Sequence, residues 1–245
     1  LIGCADPEGQ VYFPSFRPPQ GEEGDHYYSF FGENQYLADI AVGRMEVVSF
    51  DKLRGAVIRS INYERDPWVE ADEFDQDGGE WFDRAIFTAE NIAAPGGQFV
   101  PSMIHLGRWV VSKLNQYGYS QVDTMWAANV NDNINPDVKE VLENGVGLAV
   151  SRGWLGGCHY REGNEGEYIT PENGRKYPFV MAVTCLSWET HAGFFQSVDR
   201  RGNDGPVATI AMKGLSHTTP NNSLLGGSVR GMTHFGLHQT GIIQM

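Results

Sequence analysis

Short apolar runs that lack regular polar alternation recur along this chain of 245 residues. The clearest of them occupy residues 84–90 (RAIFTAE), 146–151 (VGLAVS), 179–184 (FVMAVT) and 206–212 (PVATIAM). A continuous apolar run of this length is typical of a strand that is buried on both faces, as in a parallel sheet. Segments with helical spacing of apolar residues lie between the runs. This order of elements predicts an α/β fold with a mostly parallel central sheet.

Local signals define the remaining elements. Helices are predicted over residues 50–65, 99–117 and 135–144, and further strands over residues 36–45 and 121–127. Ser49 is the expected N-cap of the first helix, and Gly118 follows the last turn of the second. The Gly/Ser/Asn-rich stretch around Gly226-Gly227 lacks the Lys and Ser/Thr of a phosphate-binding loop and is interpreted as turns.

The charge balance limits the classes of partner. The chain has 18 basic and 31 acidic residues, a net charge of −13. This balance disfavours nucleic acid and anionic membranes, because phosphate groups bind clustered Lys and Arg. No apolar stretch approaches the length that spans a bilayer, so membrane insertion is not expected. Three cysteines cannot all pair within the chain, which excludes a disulfide scaffold. With no repeat and no clear linker, residues 1–245 are predicted to form a single domain.

Cys185 is the residue that most strongly indicates chemistry. It directly follows the apolar run 179–184 and precedes a polar, aromatic stretch. In open α/β sheets, reactive groups collect just beyond the carboxyl ends of the strands. A thiol at such a point is held rigidly and opens into a crevice, as a nucleophile requires. The alternative is a small buried side chain at the end of a core strand, because free Cys is among the most buried residue types.

The strand ends, taken in order, resemble the catalytic domain of the gingipains, which are secreted bacterial cysteine endopeptidases with a caspase-like fold. The segments that carry the resemblance are 24–28 (GDHYY), 39–44 (DIAVGR), 61–65 (INYER), 87–90 (FTAE), 115–119 (NQYGY), 144–148 (NGVGL), 182–185 (AVTC) and 205–210 (GPVATI). Each segment is short, and their order and spacing carry the weight. The resemblance implies a three-layer α/β sandwich and a piece of a longer protein that is secreted or located at the bacterial cell envelope.

The resemblance also implies residue roles. Cys185 matches the family's nucleophile, and Glu90 matches the acid that orients the family's catalytic His. At the His position itself this chain has Trp154, whose indole neither takes nor gives a proton at neutral pH. His159, on the glycine-rich turn that follows, is therefore the candidate base, and the alternative for this residue is a solvent-exposed loop histidine. His191 is a weaker substitute.

Specificity is the second departure from the family. Gingipains that cut after Arg or Lys hold the substrate's cation with an acid near the start of the helix after the Glu90 strand, but residues 98–118 contain no Asp or Glu. An uncharged pocket near Met103 could not offset the desolvation of a guanidinium group. Gly153, Trp154, Trp188 and Met103 are the predicted pocket residues, with core packing as the alternative for Trp188.

Two functions follow from these observations. The first is a cysteine endopeptidase that uses Cys185 and is not specific for Arg or Lys. The second is a catalytically inactive relative that acts as a binding or structural module, and a different Cys-dependent enzyme such as an acyltransferase is more distant. The expected partner is a peptide or a protein. No cofactor is expected, a structural Ca²⁺ ion remains open, and the sequence leaves any metal site unknown.

Overall fold

A five-stranded parallel sheet forms the centre of the structure. The structure is a computed structural model, and it describes residues 1–5, 7–16, 24–32, 38–65, 80–90, 93–94, 98–99, 102–127, 135–153, 161–162, 167–168, 170–188, 197–198, 201–212 and 214–237. The strands are β1 (Arg84–Glu90), β2 (Ala93–Ala94), β3 (Gln98–Phe99), β4 (Gln121–Ala127), β5 (Leu148–Arg152), β6 (Arg161–Glu162), β7 (Glu167–Tyr168), β8 (Phe179–Ala182) and β9 (Ala208–Ala211). The sheet order is β4-β1-β5-β8-β9, with every neighbouring pair parallel. The pairs β2-β3 and β6-β7 are small antiparallel additions.

Helices cover both faces of this sheet. They are α1 (Phe50–Arg65), α2 (Ser102–Tyr117), α3 (Asn135–Asn144) and α4 (Thr218–Phe235), and two 3₁₀ turns span His26–Ser29 and Glu80–Asp83. Alternate strand residues point to opposite sides, so Phe87 joins the core beneath α2 and α4 while its neighbour Ile86 joins the core beneath α3. Both side chains are fully buried. The three-layer α/β arrangement with a parallel central sheet is confirmed.

The helix boundaries follow the predicted capping signals. The Ser49 hydroxyl accepts a hydrogen bond from the Lys52 N–H (3.3 Å) at the start of α1. Gly118 and Gly145 follow α2 and α3 with φ of +116° and +95°, a backbone region that glycine adopts without steric cost. The sequence therefore specifies where these three helices begin or end.

Helix α4 is a correction to the sequence interpretation, because Gly226-Gly227 lies inside a helix of 18 residues and not in turns. Leu225 and Val229, one turn apart, are fully buried in the core cluster that α2 and the sheet also build. A Cβ atom at Gly226 would lie 3.6 Å from Leu106 Cδ1 on α2, an ordinary van der Waals distance, so the packing of the two helices does not require glycine there. Tertiary packing thus outweighs the low helix propensity of Gly, Asn and Ser.

The α2–α4 pair carries no acidic side chain. Neither helix contains an Asp or a Glu, whereas the chain as a whole has 31. Arg108, Lys113 and Arg230 are the lysine and arginine residues of the two helices. This pair is therefore locally basic in a protein whose net charge is −13.

The N-terminal segment is fixed by Arg44. Its guanidinium forms a bidentate ion pair with Asp25 (both N–O distances 2.6 Å) and donates to the carbonyl oxygens of Gly3 (2.7 Å) and Phe13 (2.6 Å). Arg44 therefore has a structural role, because one side chain joins four positions of the N-terminal segment. The predicted strand over residues 36–45 is wrong within its described part, because residues 38–45 contribute a single bridge from Met45 to Ile2.

Candidate active site

Cys185 lies at the carboxyl edge of the parallel sheet, directly after β8. The strand pairing with β5 continues for one residue beyond Ala182, because the Val183 N–H donates to the Ser151 carbonyl (3.1 Å). Leu186 then adopts a left-handed conformation (φ 56°), and its N–H donates to the Gly214 carbonyl (3.0 Å) beyond β9. A turn anchored to two flanking strands therefore presents the thiol at the edge where the sequence predicted it.

The sulfur of Cys185 is partly exposed and has a defined partner. Its Sγ donates a hydrogen bond to the carbonyl oxygen of Ser216, at 3.0 Å. Ser216 belongs to the segment that connects β9 to α4. A hydrogen bond to a carbonyl requires the protonated thiol, so the sulfur must leave Ser216 before it can attack as a thiolate.

Ser187 anchors the Cys185 turn to the ends of two neighbouring strands. It is fully buried, its hydroxyl donates to the Ala182 carbonyl (2.7 Å), and the same oxygen accepts from the Met212 N–H (2.8 Å). One side chain thereby joins the ends of β8 and β9. The buried hydroxyl both donates and accepts a hydrogen bond. Breaking either bond would cost free energy, so the Cys185 turn is rigid.

Gly153 directly follows β5 and is also buried. Its carbonyl oxygen accepts hydrogen bonds from the Thr184 hydroxyl and from Arg152 Nη1 (2.8 Å). The Arg152 guanidinium is 1% exposed and also donates from Nε to Asn222 Oδ1 (2.9 Å) and from Nη2 to the Thr218 carbonyl (3.3 Å). The end of β5, the Cys185 turn and the first turn of α4 therefore form one connected crevice wall.

Glu90 is the last residue of β1, at the same edge of the sheet. The register pairs Ala89 with Arg152, and Ser151 with Ala182, so the ends of β1, β5 and β8 are level. The strand β5 lies between the Glu90 strand and the Cys185 strand. The topology thus brings the backbones of Glu90, Gly153 and Cys185 to one edge.

Besides Gly153, the structure describes two other predicted pocket residues, Met103 and Trp188, and both pack against the interior. Met103, in the first turn of α2, is only 3% exposed. Trp188 is partly buried against the core beneath α3, which agrees with its alternative as a packing residue. It also borders a cavity of about 600 Å³ between α1, β9 and the N-terminal segment, whose described lining does not include Cys185.

The stretch 154–160 lies outside the described residues, and so does His191. Trp154 as the replacement for the catalytic His, and His159 as its substitute, therefore stay predictions. Within the described ranges, no group of three or more His, Cys, Asp or Glu side chains could hold a metal ion. Among the described helices, none combines the length and the apolar character needed to cross a membrane.

Sequence reasoning missed Arg152 and the contribution of residues 216–222. An arginine at the end of an otherwise apolar strand was an available signal, because a buried guanidinium must find hydrogen-bond acceptors. The contact between Cys185 and Ser216 had no such signal. It joins positions 31 residues apart and depends on the packing of α4.

Comparison with known proteins identifies the family. The profile of peptidase family C25 matches residues 2–245. Gingipain R2 of Porphyromonas gingivalis is 23% identical over 203 residues, covering 78% of this chain and 25% of that protein. Gingipain R1 of Porphyromonas gingivalis is also 23% identical, and the matched region makes up 19% of that protein. The chain thus spans a quarter or less of these relatives.

Solved structures agree on the fold. The crystal structure of the Arg-specific cysteine proteinase gingipain R superposes with a TM-score of 0.77 at 18% identity, covering 99% of this chain and 55% of that one. The complex of the RgpB pro- and mature domains from Porphyromonas gingivalis gives a TM-score of 0.75 at 19% identity, with the same coverage. The predicted gingipain-like fold is confirmed, and the chain belongs to peptidase family C25.

Proposed function

We propose that this chain is a cysteine endopeptidase domain with Cys185 as its nucleophile. The observation that carries the proposal is the partly exposed Cys185 sulfur at the carboxyl edge of the sheet, in a chain of a cysteine peptidase family. The thiolate attacks the carbonyl carbon of the scissile peptide bond and forms a tetrahedral intermediate. The amine then leaves with a proton, and water hydrolyses the resulting thioester to release the acid and restore the thiol.

The proton traffic requires an imidazole, because an unperturbed thiol with a pKa of about 8.5 supplies little thiolate at neutral pH. His159 is the candidate from the sequence, and Glu90 is proposed to orient the imidazole. Backbone N–H groups near Gly153 and Cys185 are proposed to stabilise the oxyanion. The hydrogen bonds around Gly153 support this role, because they hold the strand end in a fixed orientation.

The substrate is proposed to be a peptide or protein cut after residues other than Arg and Lys. The support is the absence of any Asp or Glu from residues 98–118. Without a carboxylate, the pocket has no partner for a buried cation. A location outside the cell or at the cell envelope is proposed on the resemblance to the gingipains.

An inactive binding or structural module is the second candidate. It is favoured by Trp154, since the sequence has indole at the position where the family has its catalytic imidazole. A loss of the base with retention of the fold would leave a surface that binds peptides without cutting them. The proton acceptor therefore separates the two candidates.

A thiol-reactive peptide probe tests the proposal. We expect the wild-type chain to be labelled and to cleave members of a mixed peptide library, and Cys185→Ala to lose both properties. Cys4→Ala is the matched control, because Cys4 is only 1% exposed and lies in the N-terminal segment, so labelling should persist. Equal labelling of wild type and Cys185→Ala, without cleavage of any peptide, would favour the binding module.

A further inference from the structure

The residue after Ser216 is a histidine. Cys185 Sγ lies 3.0 Å from the Ser216 carbonyl oxygen, and that oxygen belongs to the same peptide unit as the His217 Cα. In a standard trans peptide, the carbonyl oxygen and the Cα of the next residue are about 2.8 Å apart. The His217 Cα therefore lies within about 6 Å of the sulfur. Imidazole nitrogens lie about 3 to 4.5 Å from their own Cα, so a rotation of the side chain can bring one to the thiol.

His217 has a fixed backbone and an uncommitted side chain. It is the N-cap of α4, in an extended conformation (φ −93°, ψ 151°), and its carbonyl accepts the Asn221 N–H (3.1 Å). Its side chain is exposed and makes no capping hydrogen bond. An N-cap usually carries Ser, Thr, Asp or Asn, so a histidine at this position is not explained by helix capping.

Asn221 adds an independent observation. The side chain is 1% exposed, and its Nδ2 donates to the Ser216 hydroxyl (2.7 Å), next to His217. Its Oδ1 is buried without a partner among the described residues. A buried amide oxygen normally accepts a hydrogen bond, and an imidazole N–H at position 217 would supply one.

We infer that His217 is the proton acceptor of Cys185, with Asn221 as a positioning residue that orients its imidazole. The inference rests on the proposed function. His217 takes the proton of Sγ–H as the sulfur leaves the Ser216 carbonyl, and the thiolate forms the bond to the substrate carbonyl carbon. The imidazolium then gives this proton to the leaving amine nitrogen, and the neutral imidazole accepts a proton from the water that attacks the thioester.

Arg152 places a fixed positive charge between the segments that carry this pair. Its buried guanidinium donates to the carbonyl of Gly153, which also accepts from Thr184 next to Cys185, and to the carbonyl of Thr218 next to His217. A fixed cation next to the pair favours the thiolate once the thiol has lost its proton. In the sequence, Trp154 occupies the family's usual base position, and His217 supplies an imidazole from the N-cap of α4 instead.

Alkylation of Cys185 by iodoacetamide tests the inference without requiring peptidase activity. The rate is followed from pH 5 to pH 10 on the full chain, by mass spectrometry of the peptide that contains Cys185. We expect His217→Asn to lower the rate at pH 6.5 by about tenfold or more and to move the inflection towards that of a free thiol, near pH 8.5. Asn is a preferred N-cap residue, so this variant retains the start of α4.

Two further variants sharpen the test. His234→Asn changes an exposed histidine in the last turn of the same helix and should alkylate like wild type. Asn221→Leu should shift the inflection in the direction of His217→Asn, an effect that packing alone would not produce. Thermal unfolding confirms that each variant is folded.

The results separate this inference from the proposed function. An unchanged pH profile in His217→Asn overturns the inference, and it does so most clearly if His159→Asn loses the reactivity instead. If wild type cleaves peptides while His217→Asn does so equally well, the peptidase proposal stands without His217. If the profile depends on His217 but no peptide is cleaved, the acceptor role stands and the peptidase proposal fails.

Discussion

Gly107, in the middle of α2, allows the helix to lie directly on the sheet. A Cβ atom at this position would come within 2.5 Å of Phe87 Cε1 and within 2.8 and 2.9 Å of two ring carbons of Trp126. Distances below 3.0 Å require the neighbours to move. Phe87 is fully buried in the core beneath α2, where it has no free volume into which it could move.

The expected magnitude follows from two opposing effects. Replacement of Gly by Ala in a helix interior stabilises by about 1 kcal/mol, because Ala loses less conformational entropy on folding. Overpacking of a close-packed core costs about 1–3 kcal/mol, and contacts this short with two aromatic rings place Gly107 in the upper part of that range. We therefore expect Gly107→Ala to lower the free energy of unfolding by about 1–2 kcal/mol.

Gly227→Ala is the matched control. Gly227 is also inside a helix, but a Cβ atom there meets nothing within 4 Å, so the helix-propensity gain of about 1 kcal/mol should remain. Urea denaturation of both variants, followed by circular dichroism, should give midpoints that move in opposite directions from wild type. A gain of stability in both variants would refute the close packing of α2 against Phe87 and Trp126.

Two predictions concern other parts of the core. Burial raises the pKa of Tyr119 to about 12, so the folded state retains a phenolic proton that the unfolded chain loses near pH 10. This contribution to the free energy of unfolding is fully present below pH 10, and roughly 2 kcal/mol of it is lost as the pH rises to 12. Urea titrations should find a smaller decline in Tyr119→Phe, which keeps the contribution of Tyr63, because burial raises the pKa of that side chain too. Ser187→Ala should cost about 2 kcal/mol, because the Met212 N–H loses its acceptor and the Ala182 carbonyl keeps only the longer hydrogen bond from the Thr184 N–H (3.2 Å). The exposed Ser112→Ala should stay within about 0.5 kcal/mol of wild type, and equal effects of the two Ser variants would contradict the bridge between β8 and β9.

The five strands of the central sheet and three of the helices were predictable because their signals are local. β1 and β4 coincide with the predicted 84–90 and 121–127. The cap at Ser49 and the glycines at 118 and 145 mark helix ends through the chemistry of a few neighbouring residues. Such signals do not depend on what packs against the element.

Helix α4 was not predictable in the same way. Its first eleven residues include two glycines, two asparagines, a proline and several hydroxyl side chains, all of which favour turns in isolation. The helix forms because Leu225 and Val229 bury their side chains against α2 and the sheet. This gain comes from contacts between separate segments such as α2 and α4, which no local pattern reveals.

The candidate site likewise has one feature that the sequence predicted and others that it did not. The position of Cys185 at a strand end was predicted from the apolar run before it, and the structure agrees. Two contacts depend on the side-by-side arrangement of β5, β8 and β9. One joins Cys185 to Ser216, and the other brings Arg152 and Thr184 to the carbonyl oxygen of Gly153. These partners come from three separate segments, so their proximity is a property of the topology.

The pair of α2 and α4 offers no carboxylate to a positively charged surface. All 31 acidic residues of the chain lie outside these two helices, which carry three lysine and arginine side chains. A cationic matrix therefore attracts other parts of the molecule, and the two helices prefer to face the solvent. The preference weakens as salt shortens the Debye length to about 8 Å at physiological ionic strength, so immobilisation in dilute buffer should yield a more uniformly oriented layer than immobilisation in saline.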